Sequence, residues 1–215
     1  MRHILCFGDS NTWGFVPGSG TRYDEHTRWT GVLGELLGED WRVYEDGLNA
    51  RTSAFPSPFK PFLNGMDALP IALWAQKPLD VLVISLGTND LKTNTACQAA
   101  SGVARLVAYA KAMDTLYPSA TPVFRDRKPR ILVISPIAIG ENPKGTNPYS
   151  DLAGKREESL TFPAAFASVV APLGVTLLDA QKYAEPSPVD CVHMSPESHR
   201  ALAQAVADAV HAMMD

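Results

Sequence analysis

The chain has 215 residues, which at roughly 150 residues per domain favours one domain over two. Hydrophobic residues make up 46% and charged residues 20%, which excludes a disordered or fibrous chain. Nineteen Lys and Arg against 23 Asp and Glu leave a net charge of −4 with no strongly basic stretch, so neither nucleic acid nor an anionic membrane is expected as partner. Cys6, Cys97 and Cys191 are too few and too scattered for a disulfide framework, and none forms a CxxC pair for zinc. The apolar run at the N-terminus is too short for a signal-peptide core, and no window approaches the roughly 18 apolar residues of a membrane span. A cytoplasmic protein is the expectation.

Five short apolar runs read as strands, at residues 4–7, 42–44, 81–86, 131–135 and 175–178. Three of them (4–7, 81–86 and 131–135) are near-continuous in Val, Ile and Leu, as parallel strands covered on both faces are. Helix-period segments lie between them. Residues 29–37 put Trp29, Val32, Leu33, Leu36 and Leu37 on one side. Residues 64–76 are apolar but contain Pro70, which predicts a bend or break there. Residues 96–116 and 159–173 follow, the latter with Pro163 near its start. The last helix is the clearest, with Ser195 as N-cap and Pro196 as first helical residue. The alternation predicts α/β layers around a mostly parallel sheet.

Four blocks sit directly after predicted strands or before the last helix. Gly8-Asp9-Ser10 follows the first strand and can present a hydroxyl at the sheet's carboxyl edge. Gly47-Leu48-Asn49-Ala50-Arg51 follows the second, and Gly87-Thr88-Asn89-Asp90 the third; both can supply donors at that edge. Asp190-Cys191-Val192-His193 precedes the last helix. A serine nucleophile needs an imidazole to take its proton and a carboxylate to orient that imidazole. Attack on an acyl carbonyl also builds an oxyanion, which preorganised N–H donors stabilise. Each block alone is a modest signal, since Gly-Asn loops are often plain turns. Their order along one chain is the informative feature.

That order, with ILCFGDSNTWG, RWTGVL, GLNART, LGTND and VHMSPESH, resembles the SGNH (GDSL-like) hydrolase superfamily over nearly the whole chain. The stretches look closest to its bacterial arylesterase/acyltransferase branch. The resemblance implies a flavodoxin-like, three-layer α/β/α sandwich with a five-stranded sheet. It implies Ser10 as nucleophile, His193 as general base and then acid, and Asp190 as its orienting carboxylate. The oxyanion hole it implies is the Ser10 N–H, the Asn89 side-chain amide and a third N–H at Ala50, where the family usually has Gly. The first block reads Ser-Asn where the family's popular name has Ser-Leu. Asp9 is read as a structural residue of the turn, and Cys191 as a buried small hydrophobe. His3, His26, His199 and His211 are read as surface or capping residues, not metal ligands.

The expected activity is hydrolysis of short aryl or alkyl esters through an acyl-enzyme, with no cofactor and no metal. The branch also implies acyl transfer to alcohols or hydrogen peroxide. Trp13, Thr88, Lys92 and Phe59 are candidates for the substrate pocket. The 53–62 loop, with Phe55, Phe59 and Phe62, is a candidate wall for a water-poor pocket, and with the resemblance it favours a homo-oligomer, an octamer among the sizes considered. A sugar deacetylase of the same superfamily is the alternative enzyme. A flavodoxin-like domain binding a small ligand is the alternative outside enzymes, although Asp9 and Asp190 put negative charge where a phosphate would sit.

Overall fold

The computed structural model describes residues 1–57, 60–141 and 150–215. Five strands form one all-parallel sheet: β1 (Arg2–Gly8), β2 (Trp41–Gly47), β3 (Val81–Ser85), β4 (Ile131–Ser135) and β5 (Thr176–Asp179). Their spatial order is β2-β1-β3-β4-β5, the flavodoxin-like arrangement the resemblance implied. Seven α-helices stand among the described residues: α1 (Ser10–Trp13), α2 (Trp29–Leu37), α3 (Gly65–Gln76), α4 (Ala96–Leu116), α5 (Arg156–Leu160), α6 (Phe162–Val169) and α7 (Pro196–Met214).

The pleat explains the three layers. Side chains alternate across each strand. Leu5, Phe7, Leu82, Ile84, Ile131 and Val133 enter a core shared with α3, α4 and α6. Ile4, Cys6, Val81, Val83, Leu132 and Ile134 enter the opposite core, shared with α2 and α7. Both faces are therefore covered, which is why these strands read as continuous apolar runs.

The helix ends follow from their sequences. Thr95 and Gln98 form a reciprocal capping box at the start of α4. The Ser195 hydroxyl accepts the Ser198 N–H, with Pro196 in the first turn of α7 as expected. Three expectations need correction. The segment 159–173 is not one helix but α5, α6 and a 3-10 turn at Ala171–Leu173. Pro163 has no N–H to return to the Ser159 carbonyl, and that carbonyl accepts from Gln181 Nε2 at 2.8 Å instead. Conversely, α3 runs on through Pro70, because the fully buried Leu69 and Leu73 hold consecutive turns against the sheet. His199 is no surface residue. It is fully buried, and its Nδ1 accepts the Trp29 N–H at the start of α2, so the capping half of that reading stands.

β1, β2 and β3 end level with one another. Gly8 pairs with Gly47 on one side and with Ser85 on the other. The order reverses at β1, since β2 lies on one side and β3 on the other, and such switch points open a crevice at the carboxyl edge. The α1 turn folds back over that edge. A methyl group built on Gly47 would lie 2.1 Å from the Trp13 backbone N. Backbone, unlike a flexible side chain, cannot move aside cheaply. Gly47→Ala is expected to cost about 2 kcal/mol of stability in urea unfolding. It should also depress any turnover that depends on Ser10 in the folded fraction, because α1 carries that residue.

Candidate active site

Ser10 is the first residue of α1, and Asp9 caps that turn by accepting the Asn11 N–H at 3.0 Å. Chain reversal at Gly14, with φ of 87°, ends the turn after four residues. The loop before α7 brings His193 to it. His193 Nε2 lies 2.9 Å from Ser10 Oγ, and Nδ1 lies 2.7 Å from Asp190 Oδ2. The other Asp190 oxygen accepts the backbone N–H groups of Val192 and His193 at 3.0 and 2.9 Å. Asp190 is fully buried, and burial alone would raise its pKa. The His193 contact and these N–H donors outweigh that and hold the carboxyl below its usual range. An ionised Asp190 at Nδ1 fixes the proton there and leaves Nε2 facing Ser10 as acceptor. Phe15 stacks on the imidazole, ring centroids 4.1 Å apart, and so covers His193.

The other two blocks converge on the same turn. Ala50 sits at φ of 65°, in the left-handed region that favours glycine. The chain thus keeps the backbone conformation that a glycine would adopt freely, and keeps the N–H. Among the described residues, neither the Ser10 nor the Ala50 N–H has an acceptor. Asn89 donates through Nδ2 to the Arg51 carbonyl at 3.2 Å, which aligns the amide and leaves its second N–H for another acceptor. Arg51 is itself buried. Its guanidinium donates to the Gly8 carbonyl, the Asp46 carbonyl and Asp46 Oδ1, and lies 4.0 Å over the Phe7 ring. Asp90 accepts the Ser53 N–H and hydroxyl, tying the third block to the chain two residues beyond the second. The structure therefore brings Ser10, His193 and Asp190 into contact, and links Asn89 and the Ala50–Arg51 segment to the end of β1 just before Ser10.

The pocket candidates fare differently. Trp13 ends α1, half-buried beside Phe15 and under the Arg22 guanidinium. Thr88 is buried and lines a cavity of about 20 Å³ beneath the turn, with Asp9, Asn11 and Met194. Lys92 is half-buried, and loss of water pulls its ammonium below the usual range despite the facing Asp151 and Asp9. Phe59 lies outside the described residues. Cys191 is buried, as expected, with Sγ 3.2 Å from the Glu141 carbonyl, and burial raises its thiol pKa. Sequence reasoning missed the Arg51 and Ser53 tethers and the Asn11 contacts. Arg51 lies within the second block, and for Ser53 and Asn11 the signal was only adjacency to a block.

The GDSL-like lipase/acylhydrolase family model matches residues 6–201. The chain belongs to this family. Solved structures agree. The M. smegmatis aryl esterase superimposes with a TM-score of 0.89 at 33% identity, over 99% of this chain and 100% of that one. Est24, a carbohydrate acetylesterase from Sinorhizobium meliloti, gives 0.89 at 32% identity over the same shares. A second S. meliloti carbohydrate acetylesterase family member gives 0.90 at 32%, over 99% of both chains. No curated protein sequence matches significantly. The chain is an SGNH-type ester hydrolase, and no helix among its described residues is long and apolar enough to cross a membrane.

Two buried carboxyls flank the site. Burial pushes Asp9 up to about 6, against the opposing pull of the Asn11 N–H, His193, Arg51 and Lys92. Burial likewise pushes Asp90 up to about 6, and Asp9 adds to it, while Ser53 opposes. Each therefore ionises later in the folded chain than in the unfolded one. Stability from these groups is highest below about pH 4 and declines as pH rises to about 6. Asp9→Asn keeps an oxygen for the Asn11 N–H. It is expected to raise Tm by roughly 3–6 °C at pH 7, with the gain vanishing below pH 4, in a thermal melt series. Activity should fall at pH 7, since His193 loses a facing carboxylate. At Ala50, glycine removes a left-handed strain of about 1 kcal/mol, and its greater freedom in the unfolded chain offsets that by a similar amount. Ala50→Gly should match the parent in Tm and turnover, whereas Ala50→Val, β-branched, should lose about 2 kcal/mol and most activity.

Proposed function

We propose that the chain is a serine esterase acting on short-chain esters through an acyl-enzyme on Ser10. The observation that carries the reading is the Ser10–His193–Asp190 hydrogen-bond relay, at 2.9 and 2.7 Å, beside two N–H groups that have no acceptor among the described residues. Ser10 Oγ attacks the ester carbonyl carbon while its proton passes to His193 Nε2. The carbonyl oxygen gains the negative charge. The N–H groups of Ser10 and Ala50 and the free N–H of Asn89 receive it, each such donor being worth several kcal/mol in general. Asp190 stabilises the imidazolium. The C–O bond to the alcohol then breaks as His193 returns the proton to the leaving oxygen. Water, deprotonated by the same imidazole, attacks the acyl carbon, and the proton finally returns to Ser10 Oγ.

An alcohol or hydrogen peroxide can take the place of water in the second half. Transfer competes with hydrolysis only where water is scarce near the acyl group. The buried position of Ser10 and His193, the Phe15 cover and the half-buried Trp13 support such a setting. The similarity to an aryl esterase supports short acyl groups on aromatic or simple alcohols. A second reading has equal structural support: carbohydrate acetylesterases resemble this chain as closely as the aryl esterase does. It keeps the same mechanism, with an acetylated sugar as substrate.

Turnover of p-nitrophenyl acetate in dilute alcohol tests both halves. Wild type is expected to release p-nitrophenol and form both acetate and the transferred ester, and Ser10→Ala to lose at least about a thousandfold in kcat. Equal activity in the two proteins would remove Ser10 as nucleophile. Faster release of acetate from acetylated xylose than from phenyl acetate would select the sugar reading.

A further inference from the structure

The residue after Ser10 bridges two segments 183 positions apart. Asn11 is buried, and its side chain makes two hydrogen bonds, both to the loop that carries His193. Its Oδ1 accepts the Met194 N–H at 3.0 Å, and its Nδ2 donates to the Val192 carbonyl at 3.3 Å. The amide orientation follows from the partners, because a backbone N–H only donates and a carbonyl only accepts. One side chain thus binds the residues on either side of His193. A residue in a parallel ladder bonds its neighbour strand in the same way. The peptide groups of His193 itself are taken elsewhere: its N–H by Asp190 Oδ1 and its carbonyl by the Ser187 N–H at 2.7 Å. The Asn11 backbone N–H is meanwhile held by Asp9.

We propose that Asn11 is a positioning residue that clamps His193 over the site during deacylation. The inference rests on the triad reading. In the free enzyme Ser10 Oγ bonds the imidazole directly. Once Ser10 is acylated, Oγ has no proton to give and that bond is lost as a tether. The imidazole must still stand over the acyl carbon and take a proton from water. Asp190 holds only the far side of the ring, within the same loop. The Asn11 amide then still links the His193 loop to the Ser10 turn by hydrogen bonds. Leucine, the residue in the family's popular name, has neither a donor nor an acceptor to make it.

The test is pre-steady-state kinetics with p-nitrophenyl acetate on wild type, Asn11→Leu and Asn11→Asp. Asn11→Asp keeps an acceptor for the Met194 N–H but loses the donor to the Val192 carbonyl. Rates are taken per active site titrated with a fluorophosphonate, and the label is located by mass spectrometry. Asn11→Leu is expected to show a larger burst of p-nitrophenol than wild type. Its steady state should be slowed roughly ten- to hundredfold. KM should fall with kcat as acyl-enzyme accumulates, and kcat/KM should change much less. Asn11→Asp should show the same pattern at smaller amplitude. Wild-type kcat per titrated site in both variants overturns the clamp, as does an equal loss of kcat and kcat/KM without a burst. A wild-type label found elsewhere than Ser10 overturns the triad reading instead, and the clamp with it.

Discussion

The site depends on a steric allowance at the sheet edge. β1 and β2 both end in glycine, at Gly8 and Gly47, paired side by side. A side chain on Gly8 would run into the Thr12 side chain and the Ser85 carbonyl, and one on Gly47 into the backbone of Thr12 and Trp13. With any larger residue the α1 turn would stand off the sheet. Because it lies down, Ser10 is presented at the level where β3 also ends, and the Thr88–Lys92 turn reaches it with Asn89. Arg51 then locks the arrangement from below, since one guanidinium binds the last carbonyl of β1 and both oxygens that Asp46 offers. A buried guanidinium with these partners has little freedom to move. The strained Ala50 beside it is held at its left-handed φ by this surrounding structure.

The parts legible in the sequence were those with a strong local cause. The apolar runs marked β1, β3 and β4 because parallel strands bury both faces, and the Ser195-Pro196 start of α7 needed only capping chemistry. Pro163 and Pro70 show where local cause fails. Both lack an N–H, yet one ends a helix and the other does not. The difference lies in packing that a window of sequence does not contain: Gln181 waits for the Ser159 carbonyl, whereas Leu69 and Leu73 pin α3 on both sides of its proline. The blocks named Ser10, Asn89, Asp190 and His193, and these do converge. Ser53 and Asn11 went unread because they work through partners 37 to 183 residues away, and Arg51 because, besides its near neighbour Asp46, it binds the end of β1 43 residues earlier; spacing carries no trace of such pairs. The surface half of the His199 reading failed for the same reason, as the helix it caps lies 170 residues earlier.

The electrostatics of the site explain why it tolerates unfavourable burial. Three carboxyls lie buried near His193: Asp190, Asp9 and, behind them, Asp90. Asp190 has enough donors to remain ionised at low cost. Asp9 and Asp90 do not, and burial raises both to about 6. At neutral pH the fold therefore carries two charges that it would be more stable without. Their position gives them a use. In the proposed mechanism His193 takes the serine proton, and negative charge already fixed around the transient imidazolium would lower its energy without any reorganisation. His199 completes the pattern from the other side. It is buried, uses Nδ1 as an acceptor, and is pulled down to about 3 by loss of water and by the nearby His193. It therefore stays neutral when His193 is charged and adds no repulsion. On the proposed mechanism the positive charge would rest on His193, which faces both a carboxylate and Ser10, and the stability lost at Asp9 and Asp90 would be the counterpart of that arrangement.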